Sequence, residues 1–366
     1  MEENIAVLGA GNAGYAFSVY LTQRGHNVTL YESDKFRENI DPIIENDGIQ
    51  SFGELCGFTK IKKVTTNMSE ALDDAKLIIV PVPAFAQDFI FEKMIPHLQK
   101  GQIILLTPDN TGSIRLFNLL KKKNMENKVT ICGSASMLFV AKRSGLAPGQ
   151  VNIDGIKNII RIASMPAKKI DDAKDTLANV FDKLKFNKNV LENSLSNFNH
   201  QLHPAPILLN AGRVESKEAF YFYKEGHTSS IDKVLKQIDE EKINIGRSLG
   251  YEIEPFEDIF QSYYKGRCAE TDDINEMINS NLCYRNVLSP SSMKSRFIIE
   301  DIKYGLVLMS SIGERFNIKT PIIDSIINIS SVLNGSDYMS EGITLDKLGF
   351  KNMNPKEIND YLQEGK

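Results

Sequence analysis

IAVLGAGNAGYAFSVYLTQRGHNVTLYE, residues 5–32, decides the fold of this chain. A short apolar run leads directly into the glycine pattern GAGNAG, and a helix-forming segment follows before a second strand-like run. In this context Gly9 permits a tight turn, Gly11 lets a diphosphate approach the backbone, and Gly14 lets the helix pack closely on the strand. The free N–H groups at the helix start attract anions. The stretch therefore predicts a dinucleotide-binding βαβ unit, with a glycine-rich turn that binds nothing as the alternative. We expect the cofactor to contact Gly9, Gly11, Asn12, Ala13 and Gly14.

Glu32 ends the second strand-like run, NVTLYE, eighteen residues after Gly14. A carboxylate at this point can accept hydrogen bonds from both hydroxyl groups of an adenosine ribose, and it repels a 2′-phosphate. The position therefore favours NAD(H) over NADP(H). Lys35 and Arg37 follow closely enough that NADP(H) stays possible.

Short apolar runs continue to alternate with helical segments up to about residue 165, at residues 76–82, 102–107 and 129–134. Short β-branched runs bounded by turn residues are typical of parallel strands that are buried on both faces. They predict an α/β fold with a Rossmann-type, doubly wound parallel sheet. The loop at residues 80–87 follows one such strand, where open α/β sheets bind ligands. We expect Pro83 in this loop to run along the nicotinamide half of the cofactor, with a rigid strand-to-helix turn as the alternative.

The second half of the chain has a different pattern. From about residue 194 most long segments have helical spacing, such as residues 230–250 and 290–316. A chain of 366 residues is also longer than one core usually spans. We therefore predict a dinucleotide-binding domain over residues 1–183 and an all-helical substrate domain over residues 184–366.

The composition excludes several classes of partner. A net charge of -4 provides no basic field for nucleic acid, and no apolar run approaches the roughly eighteen residues of a membrane span. The N-terminal order of two acids and then a strand differs from that of a secretory signal. The four cysteines show no CxxC spacing, which argues against disulfides and zinc. We expect a cytoplasmic protein whose partners are small molecules, and a homodimer formed through the helical half.

Two of the five histidines, His200 and His203, lie close together in SNFNHQLHPAPILLNAGR, residues 196–213. Pro204 suits the first turn of a helix, so His203 is expected at a helix start. From the residues alone, the pair is open to three interpretations: a metal site, a catalytic acid or base, or a helix cap. A metal site needs at least three protein ligands, and no third His or Cys is near in sequence, so we predict no metal.

A later segment, residues 296–315, places charged residues at helical spacing. If it is a helix, Asp301 lies on a mostly apolar face, where an unpaired carboxylate is costly, so it needs a partner. The face is formed by Phe297, Ile298, Gly305 and Leu308. Arg296 can grip the carboxylate of a keto acid or amino acid at two points. The alternative role of Arg296 is a surface ion pair with Glu300. Lys303 also lies at helical spacing from Glu300 and could pair with it.

These segments resemble the opine dehydrogenases, the octopine and nopaline dehydrogenase family, and the resemblance runs nearly end to end. GAGNAGYAFSVYL resembles the family's dinucleotide loop, and SASMLF at residues 134–139 resembles a second family stretch. RFIIEDIKYGLVLMSSIGERFNIKTP at residues 296–321 resembles the helix that carries an arginine and an acidic pair. The pattern NxxxHPxPxLLNAxRxES is matched by Asn199, His203, Pro204, Pro206, Leu208, Leu209, Asn210, Arg213, Glu215 and Ser216.

The resemblance implies an opine dehydrogenase, in which NAD(P)H drives the reductive condensation of an α-amino acid with an α-keto acid such as pyruvate. The product is an N-(carboxyalkyl) amino acid, and the reaction runs in reverse as well. The resemblance implies that His203 is the acid/base residue, supported by Asp301, and that Arg296 and Asn199 bind substrate. His200 has no counterpart in the pattern and is assigned a structural role. The helical half is expected to be of the 6-phosphogluconate dehydrogenase C-terminal type.

Gly133 departs from the family pattern, in which an acidic residue precedes the SASMLF-like stretch. If that acid holds the amine substrate, the specificity of this chain differs. Two other functions stay open. One is reduction of a keto acid, as in ketopantoate reductase-like enzymes, which generally use a lysine in the helical domain. The other is a non-catalytic NAD-sensing protein, which has no need of His203, Asp301 and Arg296 together.

Overall fold

The computed structural model describes residues 1–366, which divide into two compact units. Unit 1 comprises Met1–Val190 with Gln363–Gly365, and unit 2 comprises Leu191–Leu362 with Lys366. The division lies after Val190, beyond the expected boundary near residue 183. The reason is that Leu184–Phe186 forms a strand that pairs into the sheet of unit 1.

Unit 1 contains twelve strands in two sheets. In chain order the strands are β1 (Asn4–Leu8), β2 (Asn27–Tyr31), β3 (Ile49–Gly53), β4 (Gly57–Thr59), β5 (Lys63–Thr65), β6 (Leu77–Val80), β7 (Ile103–Leu106), β8 (Thr130–Ser134), β9 (Phe139–Arg143), β10 (Gln150–Ile156), β11 (Ile160–Met165) and β12 (Leu184–Phe186). The larger sheet has the order β12-β11-β8-β7-β6-β1-β2-β5. All its neighbouring strands are parallel except β8 and β11. The prediction of a Rossmann-type parallel sheet is confirmed.

The three strand runs predicted after the first βαβ unit appear as β6, β7 and β8. Every residue of these three strands is buried. Central parallel strands have both faces covered, so their sequences are continuously apolar and do not alternate. This is why β6 and β7 could be read from the sequence.

The second sheet, with the order β4-β3-β10-β9, was not expected. Strands β3 and β10 pair in parallel, and the two outer pairs are antiparallel. Its strands mix buried positions with exposed ones; Phe52 and Phe58, for example, are largely open to solvent. Strands β4 and β9 are short and show no regular alternation, whereas the longer β10 does alternate between buried and less buried positions.

The chain has nineteen α-helices. In chain order they are α1 (Asn12–Gln23), α2 (Asp41–Glu45), α3 (Met68–Leu72), α4 (Ala84–Met94), α5 (Gly112–Lys122), α6 (Asp171–Val180), α7 (Val190–Leu195), α8 (Asn199–Leu202), α9 (Pro204–Leu209), α10 (Ala211–Glu215), α11 (Phe222–Glu225), α12 (Ser229–Ser248), α13 (Phe256–Tyr264), α14 (Ile274–Ser280), α15 (Arg296–Asp301), α16 (Val307–Phe316), α17 (Pro321–Asn334), α18 (Tyr338–Glu341) and α19 (Pro355–Glu364). The remaining helical turns are the 3₁₀ segments Asp34–Asn39, Ile95–His97 and Ala167–Lys169 and the π segment Ile302–Leu306. Unit 2 is helical apart from one isolated bridge between Tyr221 and Leu288, which confirms the predicted helical second domain. None of the helices has both the length and the hydropathy that crossing a bilayer requires.

Two predicted helices of unit 2 are interrupted. The helix expected over residues 290–316 begins only at Arg296, after extended Ser295, and its middle turn is the π segment. The helix expected from Pro204 is split at Asn210 into α9 and α10. The Asn210 side chain donates hydrogen bonds to the carbonyls of Pro206 and Gly226, and this local bonding competes with a continuous helix.

Candidate active site

The glycine turn between β1 and α1 is shaped for a ligand that approaches the backbone. Gly9 has a φ of +117°, and a Cβ at this position would lie 2.7 Å from Cγ1 of Val82. A Cβ on Gly14 would lie 1.8 Å from the carbonyl oxygen of Gly9. Gly11, by contrast, has open space around its Cβ position and is the extended residue that precedes α1. The turn therefore fits a dinucleotide diphosphate.

Glu32 is buried just beyond the end of β2 and ties that strand to the glycine turn. Its Oε2 accepts hydrogen bonds from the backbone N–H of Ala10 at 2.9 Å and from the Asn39 side chain at 3.2 Å. Its Oε1 accepts one from the backbone N–H of Ser33 at 2.8 Å. Each carboxylate oxygen has two lone pairs, so Oε1 still has one to offer to a ribose hydroxyl.

Arg143 lies at this turn although nothing in the sequence pointed to it. Its guanidinium donates hydrogen bonds to the Ala10 carbonyl at 3.0 Å and to the Asn39 side chain at 2.9 Å. Its backbone N–H donates to Oδ1 of Asn12, one of the predicted cofactor contacts, at 3.0 Å. Arg143 comes from the unpredicted second sheet, so only the fold brings its positive charge beside the glycine turn.

The loop after β6 also lies at the turn, since Val82 is the residue that limits space at Gly9. Pro83 immediately precedes α4 and is half-buried. Of the two cations that kept NADP(H) possible, Arg37 is ion-paired with Asp41 at 3.0 Å in an exposed position.

His203 and Asp301 meet in unit 2. His203 separates α8 from α9, Asp301 ends α15, and Nδ1 of the imidazole lies 2.8 Å from Oδ2 of the carboxylate. Both residues are buried, and the imidazole stacks on the ring of Phe297 with centroids 4.2 Å apart. A carboxylate accepts a hydrogen bond from Nδ1–H, so the lone pair of the neutral ring lies on Nε2. Asp301 is thus hydrogen-bonded to a donor, as a carboxylate in apolar surroundings requires.

The helix widens immediately after Asp301, where the π segment begins. The ring of His200 lies against this segment, and a Cβ on Gly305 would be 2.2 Å from its Cγ. Only glycine leaves room for a buried imidazole so close to the helix backbone. Single π turns inside α-helices are frequent at functional sites.

His200 itself lies beside the pair. Its Nε2 is 3.9 Å from Oδ1 of Asp301 and 3.0 Å from the amide nitrogen of Asn197. Burial lowers the pKa of His200 to about 4, so its imidazole is neutral at pH 7. No group of three or more His, Cys, Asp or Glu side chains in the structure is arranged to hold a metal ion.

Arg296 begins α15 and is 55% exposed, with Nε 3.6 Å from Oε2 of Glu300. The expectation of a surface carboxylate at Glu300 was wrong, because this residue is only 7% exposed and Lys303 pairs with Glu341. Asn199 begins α8 and is half-buried.

Tyr223 completes the surroundings of His203, and sequence reasoning did not single it out. Its hydroxyl oxygen lies 2.9 Å from Nε2 of the imidazole, and the residue is buried. It belongs to the short helix α11, where no motif marks a functional residue.

Gly133 on β8 lies next to Asp109, a buried acid that follows the end of β7. A Cβ on Gly133 would lie 2.3 Å from Cγ of Asp109, in the loop after β7. The Asp109 carboxylate accepts hydrogen bonds from the backbone N–H of Ser113 at 2.7 Å and from its hydroxyl at 2.8 Å. Burial raises the pKa of Asp109 to about 6. The space that a side chain at position 133 would need is therefore filled by a carboxyl group from position 109.

Two family models match separate parts of the chain. Residues 186–334 match the family described as NAD/NADP octopine/nopaline dehydrogenase, alpha-helical domain. Residues 4–109 match the NAD-dependent glycerol-3-phosphate dehydrogenase N-terminus. The opine dehydrogenase of Arthrobacter sp. (strain 1C) is 33% identical over 359 residues, which cover 98% of both chains. The chain belongs to the opine dehydrogenase family. As a member it is an NAD(P)-dependent oxidoreductase of secondary amines, and it catalyses the reductive condensation of an amino acid with a keto acid.

Two further comparisons extend over the whole chain. Vitopine synthase of Allorhizobium ampelinum is 24% identical over 98% of both chains. The structure of an octopine dehydrogenase in complex with NADH and agmatine matches with a TM-score of 0.78 and 18% identity, and it covers 100% of this chain and 98% of the other. At that identity the structural match establishes a shared fold. The resemblance noted in the sequence is confirmed at the level of the family.

Gly11→Ala and Gly14→Ala are expected to separate cofactor binding from folding. The methyl group of Gly11→Ala enters open space, so the Tm is expected to stay unchanged. The Kd for NADH is expected to rise about tenfold or more, because the methyl group keeps the diphosphate of the cofactor away from the backbone. The methyl group of Gly14→Ala overlaps the Gly9 carbonyl, and overpacking of about 1–3 kcal/mol lowers the Tm by several degrees. Differential scanning fluorimetry and NADH fluorescence titration measure the two effects. The matched control is Gly145→Ala, whose Cβ also meets open space, on an exposed loop. Normal NADH binding by Gly11→Ala would contradict the assigned site.

His200→Gln is expected to lose less of its free energy of unfolding in acid than the parent protein does. The unfolded chain protonates His200 near its ordinary pKa of 6.5, whereas the folded chain resists protonation until about pH 4. Stability is therefore lost as the pH falls from 6.5 towards 4, by about 2 kcal/mol at pH 4.5. Urea unfolding at pH 7 and pH 4.5 measures this difference. The control is His97→Gln, at an exposed position. Parallel losses in the parent and His200→Gln would assign the acid sensitivity elsewhere.

Proposed function

We propose that His203 is the general acid and base of the condensation and that Asp301 positions it. The 2.8 Å hydrogen bond between Nδ1 and Oδ2, made between buried residues, is the observation that carries this assignment. It orients the ring and leaves Nε2 as the nitrogen whose lone pair can accept a proton. A carboxylate in contact also stabilises the positive charge of the imidazolium that forms when the ring takes up a proton.

The reaction begins when His203 accepts a proton from the ammonium group of the amino acid, which frees the amine to attack the keto carbon. A second nitrogen proton passes to the alkoxide, which becomes a hydroxyl group. His203 then returns its proton to that hydroxyl group, which leaves as water. The hydride that reduces the resulting imine carbon is supplied by NADH when it is bound. General acid–base catalysis of this kind contributes about 10² to 10⁴ in rate. Arg296 and Asn199 bind the substrate, and the exposed guanidinium of Arg296 is suited to holding the keto acid carboxylate.

NAD(H) is the preferred cofactor in this proposal. The buried Glu32 carboxylate supports it, because a 2′-phosphate would meet a like charge. The contacts with the cofactor are assigned to Gly9, Gly11, Asn12, Ala13, Gly14, Glu32 and Pro83.

The chain acts as a cytoplasmic homodimer joined through unit 2. An exposed apolar face on α17 supports this association, since Ile329, Val332 and Leu333 are 51%, 81% and 44% open to solvent. All four cysteines are free thiols, as is usual in a reducing compartment.

NADH oxidation is expected to require both an amino acid and a keto acid. Absorbance at the NADH band is followed with pyruvate, with a panel of amino acids, and with both together. His203→Ala is expected to lower kcat about 10²-fold or more, because the proton transfers lose their acid and base. The control is the exposed His97→Ala. Oxidation with pyruvate alone would favour a keto acid reductase, and binding of NADH without any oxidation would favour a sensor.

Arg296→Lys is expected to raise the KM for the keto acid about 10- to 100-fold while kcat changes less. Lysine retains the charge but loses the planar fork that holds a carboxylate at two points, and a charge-assisted hydrogen bond is worth about 1.5–3 kcal/mol. Steady-state kinetics with varied keto acid measures the effect, and Arg285→Lys at an exposed position is the control. An unchanged KM would leave Arg296 as the ion-pair partner of Glu300 only.

A further inference from the structure

Both nitrogens and one face of the His203 imidazole are in contact with neighbouring side chains. Nδ1 is bonded to Asp301, one face stacks on Phe297 with an interplanar angle of 13°, and Nε2 lies 2.9 Å from the hydroxyl oxygen of Tyr223. An imidazole nitrogen makes a single in-plane hydrogen bond. A substrate can therefore exchange a proton with Nε2 only if Tyr223 moves away or if the proton passes through its hydroxyl.

Tyr223 is held firmly in place. Its ring stacks on Tyr284 at a centroid distance of 4.0 Å, and the Tyr284 hydroxyl lies 2.9 Å from the Tyr264 hydroxyl. The preceding backbone is bonded on both sides: the N–H of Phe222 donates to the Val287 carbonyl at 2.8 Å. The N–H of Ser289 likewise donates to the Phe220 carbonyl at 2.8 Å. Withdrawing the phenol would break a stacked aromatic contact and disturb a bonded segment, so passage through the hydroxyl is favoured.

We propose that Tyr223 is a catalytic residue of this enzyme and that its hydroxyl relays protons between Nε2 of His203 and the reacting nitrogen or oxygen of the substrate. A phenol hydroxyl has one proton to donate and two lone pairs. While it donates to neutral Nε2, its oxygen can still accept a hydrogen bond from the substrate. Asp301 and Tyr223 thus occupy the two nitrogens of one imidazole.

The proton transfers balance when the amino acid enters as its ammonium form. An ammonium proton moves to the Tyr223 oxygen as the Tyr223 proton moves to Nε2, which forms the imidazolium and frees the amine to attack the keto carbon. A second nitrogen proton then passes to the alkoxide by way of the Tyr223 hydroxyl, which gives the neutral carbinolamine. For dehydration, the Nε2 proton returns to the phenol oxygen while the phenol proton passes to the carbinolamine hydroxyl. The C–O bond breaks, the nitrogen lone pair forms the C=N bond of an iminium, and water leaves. Burial raises the pKa of the Tyr223 phenol well above 10, so the two protons move together and no phenolate accumulates.

Tyr223→Phe tests the relay, because it keeps the ring and its stacking and removes only the hydroxyl. We expect kcat for the coupling reaction to fall about 100-fold, with both KM values within about threefold of the parent and the Kd for NADH unchanged. The matched control is Tyr338→Phe, since Tyr338 is also buried in unit 2 and its hydroxyl bonds only to the side chain of Asn334, at 2.8 Å. The Tm of both variants verifies that they fold.

A second measurement separates a relay from a hydroxyl that only orients the imidazole. In mixtures of H2O and D2O, two protons in motion give a curved dependence of kcat on the deuterium fraction in the parent enzyme, and Tyr223→Phe is expected to give a linear one. A linear dependence in the parent would overturn the relay. A retained kcat with a lowered KM in Tyr223→Phe would also overturn it, because substrate would then simply displace the hydroxyl from Nε2.

This inference rests on the proposed role of His203, and the two can fail separately. If His203→Ala keeps its activity, the acid/base assignment itself is wrong. If His203→Ala is inactive while Tyr223→Phe is fully active, only the relay is wrong.

Discussion

The hydrogen bond between His203 and Asp301 is the interaction on which unit 2 is organised. It joins residues 98 positions apart and links the junction of α8 and α9 to the end of α15. Both partners are buried among apolar and aromatic side chains, where leaving the carboxylate without its donor would cost at least about 1–3 kcal/mol. The pair is therefore a structural constraint as well as the proposed chemical centre, since either side chain alone would be unfavourable in this place.

The helices around this bond are irregular in ways that make room for it. Pro204 starts a new helix directly after His203, and that helix ends at Asn210, whose side chain donates a hydrogen bond to the Pro206 carbonyl. The π segment follows Asp301, and Gly305 within it admits the ring of His200. A side chain at position 305 would overlap the His200 ring, so this glycine leaves the space in which two imidazoles lie beside one carboxylate.

Unit 1 depends on close approach of backbone to backbone. Gly14 allows α1 to contact the Gly9 carbonyl, and Glu32 bonds the end of β2 to the same turn. Arg143 adds a positive charge from a strand of the second sheet. The Asp109 carboxyl occupies the space next to Gly133, so the absence of a side chain at position 133 is matched by a buried acid from a neighbouring strand end. The glycine turn, the proposed nucleotide site, is thus contacted by residues from both sheets of the unit.

The sequence by itself determined the parallel sheet, the helical second half and the family. These follow from local patterns: a glycine turn between a strand and a helix, continuous apolar runs in β6 and β7, and an ordered pair of motifs that contain His203 and Asp301. Tertiary structure alone decided that Glu300 is buried, that Arg143 reaches the glycine turn and that Tyr223 meets Nε2. Periodicity reports which face of an element is apolar, but it carries no information about which distant side chain will lie opposite. Those pairings arise only when the elements pack, because hydrogen bonds act over about 3 Å and not along the chain.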